Sequence, residues 1–236
     1  MKALILASGV GSRLQPLTSE TPKCLIDLGG FNILGRMLAA LKEHSVSDIV
    51  ITTGHLKDKI ESFVSRHYSS LNVRFVNNPV YDKTNYIYSM WLAREALKND
   101  DIVFFHGDLL FKPGLLGRVL KTEQSSALVE DNKDVPEKDF KARIENGLIT
   151  KIGVHFLDKD DRFCAPLYKF KQADFGLWVD NIGRFIKEGK VNCYAEDAFN
   201  DLAELTLKPV YFKNESCFEV DDFEDLAKAK KAFRAD

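Results

Sequence analysis

Four short runs in the first half of the chain, KALILA (2–7), DIVITT (48–53), VRFVNN (73–78) and DIVFFHGD (101–108), alternate with longer segments whose apolar residues recur at helical spacing. Runs this short, rich in β-branched and aromatic side chains, predict strands, and KALILA is apolar enough to be covered on both faces. The segments between them predict amphipathic helices. Residues 31–44 place Phe31, Leu34, Leu38 and Leu41 on one stripe, and residues 56–68 do so with Leu56, Ile60, Phe63 and His67; 85–98 supply a third helix. Strands alternating with helices are joined by crossovers, so the sheet is predicted to be largely parallel.

After residue 111 the rhythm changes. Residues 125–131, 141–156 and 166–171 predict strands, the second a hairpin that turns at Asn146-Gly147. Helices follow at 173–189 and 195–206, then a strand at 208–213, a short strand within 217–222 and a closing helix at 223–234. No repeat, low-complexity tract or Pro/Gly/Ser linker interrupts the chain, which predicts one α/β domain over 1–236 with a smaller β-rich insertion in its second half.

Composition removes several classes of function. A net charge of −2 gives no basic footprint for nucleic acid or an anionic membrane. No apolar run approaches the ~18 residues of a membrane span, and ALILA is too short for a secretory leader. Cys24, Cys164, Cys193 and Cys217 lie far apart with no C-x-x-C spacing, so neither a zinc knuckle nor a redox pair is indicated. The chain reads as a reduced, soluble, cytoplasmic protein.

The first strand runs into SGVGSRLQPLTSETPK, where Gly9 and Gly11 bracket a turn and Arg13 and Lys23 follow. A dinucleotide loop would need a small third residue, an opening helix and an acid at the end of the second strand. Here the third position is Leu14, Pro16 and Pro22 interrupt any long helix, and the second strand ends in Thr52-Thr53. A Walker loop fails because no G-K-[ST] occurs. Two glycines alone are as consistent with a plain turn as with a ligand site. Two cations on an irregular segment beside them favour a triphosphate, whose charge needs neutralising from several sides.

Two acids end separate predicted strands. Asp108 closes an apolar run, at the edge where open α/β sheets bind ligands, and Asp221 follows the short strand CFEV. Oxygen ligands from two strand ends suit Mg²⁺, which keeps several waters and bridges to phosphates. Glu219 shares a strand face with Asp221, while Asp222 is placed to cap the helix beginning at Phe223. His106 shares the face of Asp108 and reads as a core or rim residue rather than a ligand.

LASGVGSRLQPLTSETPK resembles the signature loop of nucleotidyltransferases that activate sugar phosphates and small phosphoalcohols, matching at Gly9, Gly11, Arg13, Pro16, Thr18, Pro22 and Lys23. Ser8 departs from the alanine usual there. NNPVYDKTNYIYSMWLAREAL is similar to the corresponding segment of bacterial cytidylyltransferases for phosphocholine and related amino-alkyl phosphates or phosphonates, and FHGDLLF and FEVDD resemble the two metal-carboxylate motifs of the wider family. The likeness runs from Met1 to about Ala227 and is weakest between 112 and 195.

The resemblance implies a Rossmann-like fold, CTP and a small phosphorylated or phosphonate acceptor as partners, and Mg²⁺ as cofactor, held by Asp108, Asp221 and Glu219. A sugar-1-phosphate or polyol-phosphate acceptor is the alternative, and a homodimer is left open. Residues 1–111 would be the nucleotide-binding half, through Leu6, Ala7, Ser8, Gly9, Gly11, Ser12, Gly54, Asn85 and Ser89, with Arg13 and Lys23 catalytic. Residues 112–236 would be the acceptor-binding half, where Trp178, Tyr194 and Asp197, with Tyr86 from the front half, are the acceptor candidates among an aromatic set that also includes Tyr88, Trp91, Tyr168 and Phe199. Competing readings stay open for this group: core packing for Trp91 and Trp178, and first-turn acids favoured by the helix dipole for Glu196 and Asp197.

Overall fold

Along the first strand, β1 (Lys2–Ala7), alternate side chains enter two separate cores: Ala3 and Ile5 join one, Leu4 and Leu6 the other. The computed structural model describes residues 1–131, 135–156, 158, 160–213 and 216–233. After β1 come α1 (Leu17–Glu20), α2 (Ile33–Glu43), β2 (Asp48–Thr53), α3 (Lys57–His67), β3 (Asn72–Asn77), α4 (Tyr86–Leu97) and β4 (Ile102–His106). The second half contains β5 (Leu109–Phe111), α5 (Pro113–Leu120), β6 (Ser126–Glu130), β7 (Lys141–Glu145), β8 (Leu148–Gly153), β9 (Arg162–Phe170), α6 (Gln172–Lys187), α7 (Ala195–Asn200), β10 (Lys208–Phe212), β11 (Cys217–Glu219) and α8 (Phe223–Ala232).

The main sheet has the order β10-β6-β9-β4-β1-β2-β3, with β7 and β8 continuing from β9. Strands β3, β2, β1 and β4 are mutually parallel, and β10 is parallel to β6. Strand β9 runs against both β4 and β6, so every other strand in this row points the same way. The result is a Rossmann-like, mostly parallel sheet. Because β1 lies between β2 and β4, the chain winds in opposite directions from it, and the crevice at its carboxyl end is a switch point of the kind that binds ligands. A small second sheet, β5 against β11, pairs Leu109 with Glu219.

Four local features differ from the sequence expectation. Helix α5 was not expected, although Pro113 at its first position and buried Leu115, Leu116 and Val119 are a regular start and stripe. In α3, Leu56 is left-handed (φ 51°) and outside the helix, so the buried stripe is Ile60 and Val64, while His67 is exposed. Strand β9 passes through Pro166 instead of starting there. The register against β6 slips between Ala127–Tyr168 and Leu128–Ala165, so the proline sits in a bulge, where its missing N–H does not break the ladder. The helix expected over 195–206 stops at Asn200, whose side chain accepts from the Ile152 N–H (2.8 Å) and donates to the Ile152 carbonyl (2.7 Å). The hairpin turns where expected, with Asn146 and Gly147 at φ 52° and 78°, the pair of positive values a type I′ turn requires. Arg234, the end of the expected closing helix, lies outside the described residues.

Candidate active site

The carboxyl ends of β1 and β4 and the strand end of β11 converge on a cavity of about 640 Å³. Its wall includes Leu6, Ala7, Ser8, Gly9, Gly11 and Ser12 from the first loop, together with Arg13 and Lys23. Gly11 has φ 67°, and a Cβ there would lie 3.1 Å from Thr18 Cγ2 and 3.2 Å from Lys23 Cβ, so the loop closes over these side chains only as glycine. Thr18 Oγ1 holds the fold by donating to the Gly11 carbonyl at 2.9 Å. On the neighbouring strand, a Cβ at Gly107 would meet the Leu6 carbonyl oxygen at 2.1 Å. That close approach lets the chain turn out of β4 and place Asp108 over the end of β1.

The acids from the second half reach the same point through the small sheet. The Val220 N–H donates to the Asp108 carbonyl at 3.0 Å, which sets Glu219 and Asp221 on either side of Asp108. Lys23 Nζ then lies 2.6 Å from Asp108 Oδ2 and 2.7 Å from Asp221 Oδ1, and an Arg13 guanidinium nitrogen lies 3.0 Å from that same Asp221 oxygen. Burial by itself would lower the Lys23 pKa, but Asp108 and Asp221 more than offset it and raise it. Burial opposes ionisation of Asp108 too, yet Lys23 holds its carboxyl below the ordinary value.

Behind these groups is a buried polar cluster. His106 Nδ1 is 3.2 Å from Glu219 Oε1, and its Nε2 is 3.6 Å from Glu196 Oε1. Burial would lower the imidazole pKa, but the two flanking carboxyls hold it well above its usual value. Burial lifts Glu219 to about 7, against the hydrogen bond from His106. The Tyr86 hydroxyl donates to Glu196 Oε2; burial, then that carboxyl, keeps the phenol protonated. Rings surround the cluster: Tyr86 and Phe140 lie 4.7 and 5.4 Å from His106, and Tyr194 lies 5.1 Å from Phe140 and 6.0 Å from Tyr86, centroid to centroid.

His106, Asp108 and Glu219 each offer a ligand atom, all within 4.8 Å of one another. Asp221 stands apart from that triad, on the Lys23 and Arg13 side of Asp108.

The other sequence candidates fall into three positions. Asn85, Tyr86 and Tyr194 are on the cavity wall with Asp108, Glu219 and Asp221, and Asn85 also caps α4 by accepting from the Tyr86 N–H. Ser89 and Gly54 stand one layer back. Ser89 Oγ is 2.9 Å from Ser8 Oγ, and Gly54 packs against the Ser8 carbonyl and Tyr81.

Trp178 and Asp197 are not among the described residues around the cavity. Trp178 is a core side chain, 1% exposed, among Phe104, Phe170, Phe175 and Phe199, and its indole N–H donates to the Ala195 carbonyl. Tyr168 and Phe199 are core as well. Asp197 is exposed and accepts from the Tyr194 N–H at 3.0 Å, closing a capping box at the start of α7. Sequence reasoning missed Phe140 and Lys138 and undervalued Glu196, while His106, read as a core or rim residue, is buried at the cavity beside Glu219.

A glycine loop packed against a lysine and followed by an arginine, both paired with acids from two strand ends at a switch-point crevice, is an arrangement for handling phosphates. A model of the MobA-like NTP transferase domain matches residues 3–234. The chain belongs to that family. Among curated relatives, this chain is 34% identical over 128 residues to "CMP-5'-(3-aminopropyl)phosphonate synthase" of Streptomyces rubellomurinus, a match over 54% of this chain and 20% of that protein. It is 28% identical over 237 residues to "Bifunctional IPC transferase and DIPP synthase" of Archaeoglobus fulgidus, covering 98% of this chain and 44% of that one. The matched segments thus span less than half of either relative. The structure of the CTP:phosphocholine cytidylyltransferase of Streptococcus pneumoniae superposes with a TM-score of 0.82 at 24% identity, over 98% of this chain and 97% of that one, which establishes the shared fold. Among the described residues, no helix is long and apolar enough to cross a membrane.

Proposed function

We propose that this chain is a CTP-dependent cytidylyltransferase that joins CMP to a small amino-alkyl phosphate or phosphonate and releases pyrophosphate. The observation that supports the acceptor class is the wall of rings and acids around His106. Tyr86, Phe140 and Tyr194 line the cavity with His106 and Glu219, and Glu196 is buried behind them against His106 and the Tyr86 hydroxyl. Aromatic faces attract cations by ~0.5–2 kcal/mol, and Glu219 supplies a carboxyl on the same wall. The choice of CTP is supported by the relative from Streptomyces, whose name describes a CMP-linked aminoalkylphosphonate. In this reading residues 1–236 form one domain, with 1–111 holding the nucleotide and 112–236 the acceptor.

An oxygen of the acceptor's phosphate or phosphonate attacks the α-phosphorus of CTP. The bond from that phosphorus to the bridging oxygen breaks, and pyrophosphate leaves with the electron pair. The nucleophile is already an anion at pH 7, so no general base is needed. Arg13 and Lys23 meet the negative charge of the triphosphate, and the Gly9–Gly11 loop wraps it. The residues also fit Mg²⁺. Asp108 Oδ1 is buried with no hydrogen-bond partner among the described residues, and the neighbouring donors are the oxygens this ion prefers. Asp108 and Asp221 would hold it, with Glu219 within reach of Asp108. When bound it supplies charge neutralisation and orientation of the phosphate oxygens. Lys23 would then turn from the two carboxylates to the triphosphate.

Pyrophosphate release tests this directly, with CTP, UTP, GTP and ATP each paired with 2-aminoethylphosphonate, phosphocholine, an inositol phosphate and glucose 1-phosphate. CTP with a cationic acceptor is expected to give the highest kcat/KM; a higher value with a sugar or polyol phosphate overturns the acceptor assignment. Asp197→Asn bears on the same wall. Since Asp197 caps α7 and asparagine can still accept from the Tyr194 N–H, acceptor KM is expected to stay within about twofold and stability within ~0.5 kcal/mol. A selective rise in acceptor KM would return Asp197 to the pocket.

A further inference from the structure

The first residue of β7, Lys141, has no exposed surface, yet it carries an ammonium. Its Nζ donates to four main-chain carbonyls, those of Asp139 (2.8 Å), Glu137 (3.0 Å), Val154 (3.0 Å) and Pro136 (3.1 Å). An ammonium has three protons, so the four oxygens form a shared cage around it. Buried lysines ordinarily pair with an acid. Here, among the described residues, the hydrogen bonds go to main-chain oxygens alone.

The cage gathers residues 136–140 onto the end of the β7–β8 hairpin. Two side chains of that segment reach the cavity. Phe140 sets its ring against both His106 and Tyr194, and Lys138 reaches Asp222 at 2.8 Å and Asp225 at 2.7 Å, beside Asp221.

We propose that Lys141 is a positioning residue: its caged ammonium fixes residues 136–140 so that Phe140 completes the acceptor wall and Lys138 stays at the strand end bearing Asp221. The carbonyls need the charge as much as the charge needs them. Without it, the carbonyls of Glu137, Asp139 and Val154 lose the ammonium that holds them together, while that of Pro136 keeps the Asp139 N–H, and the segment loses its tie to the hairpin. The inference rests on the reading of this wall as the acceptor side.

The test is a kinetic comparison of wild type, Lys141→Met and Lys141→Gln, with CTP and acceptor varied separately and Tm recorded for each. Methionine keeps the length and removes every donor; glutamine keeps two. Lys141→Met is expected to raise acceptor KM at least about tenfold with CTP KM within about twofold, and Lys141→Gln to fall between it and wild type. Phe140→Ala completes a double-mutant cycle with Lys141→Met, in which the two effects on acceptor KM are expected to be strongly less than additive. Equal changes in both KM values, additive effects, or loss of folding in both Lys141 variants would each overturn the proposal and leave Lys141 a purely structural lysine. If wild type turns over only a neutral acceptor, the reading of the cationic pocket fails, and the Lys141 effect is read on that acceptor instead.

Discussion

Asp108→Asn is expected to lower kcat/KM by about 10³-fold at saturating Mg²⁺ while leaving the fold intact. The substitution keeps the size of the side chain and removes its charge. Held metal is worth several kcal/mol of stabilisation at a reacting phosphate, and each ~1.4 kcal/mol is tenfold in rate. The fold survives because the bond that ties the two strand ends together, from the Val220 N–H to the Asp108 carbonyl, is a main-chain bond. Lys23 also keeps its contact with Asp221. Asp221→Asn should follow the same pattern. Wild-type turnover in either variant would remove that residue from the metal site; without Asp221 the triad of His106, Asp108 and Glu219 would remain, and without Asp108 only His106 and Glu219.

The parts of this architecture that could be read from sequence are those in which neighbouring residues decide the structure. Each of the strands β1, β2 and β4 is covered on both faces, so its whole run is apolar and visible as such. The first loop is local as well: Gly11, Thr18 and Lys23 touch one another within a short stretch of chain. Asp108 could be placed because it follows a strand end at the parallel sheet's carboxyl edge, a defined place, whereas Asp221 follows β11 and comes to the same cavity through the antiparallel pairing of β11 with β5.

The proposed acceptor wall has no such local cause. Tyr86 comes from the first turn of α4, Phe140 precedes β7, Tyr194 and Glu196 flank the start of α7, and His106 ends β4. Only their packing brings them together. A helix turns by about 100° per residue, so adjacent acids point in different directions. At α7 that rotation sends Glu196 into the cluster and leaves Asp197 outside as a cap. Trp178 illustrates the opposite case: its helical spacing was compatible with core or pocket, and a ring of phenylalanines from β4, β9 and α7 encloses it in the core. Pro166 in β9 shows the same limit for the fold, since a bulge depends on the partner strand and leaves no mark of its own in sequence.

Lys23→Ala separates two roles that one ammonium fills. Without ligands, Lys23 is the shared counter-ion of Asp108 and Asp221, 15% exposed itself and in contact with both. Removing it leaves Asp108 facing the Asp221 charge, with His106 behind Asp108 and Arg13, largely in solvent, against Asp221. Breaking a fully buried pair costs ~3–5 kcal/mol; this site opens to a cavity, so the loss of stability belongs at or below the low end of that range. Mg²⁺ should restore more stability to the variant than it adds to wild type, because no ammonium competes for the same oxygens. A melting curve with and without Mg²⁺ reads this, and an equal metal-induced rise in Tm for both proteins would show that Lys23 and metal do not share a place. In turnover the expectation is different. If the ammonium moves to the triphosphate and balances charge that grows at the α-phosphate, kcat should fall ~10²–10³-fold, with a smaller change in KM for CTP. An unchanged kcat with a raised KM would confine Lys23 to ground-state binding, and the charge developing at phosphorus would then have to be met by Arg13 and the metal alone.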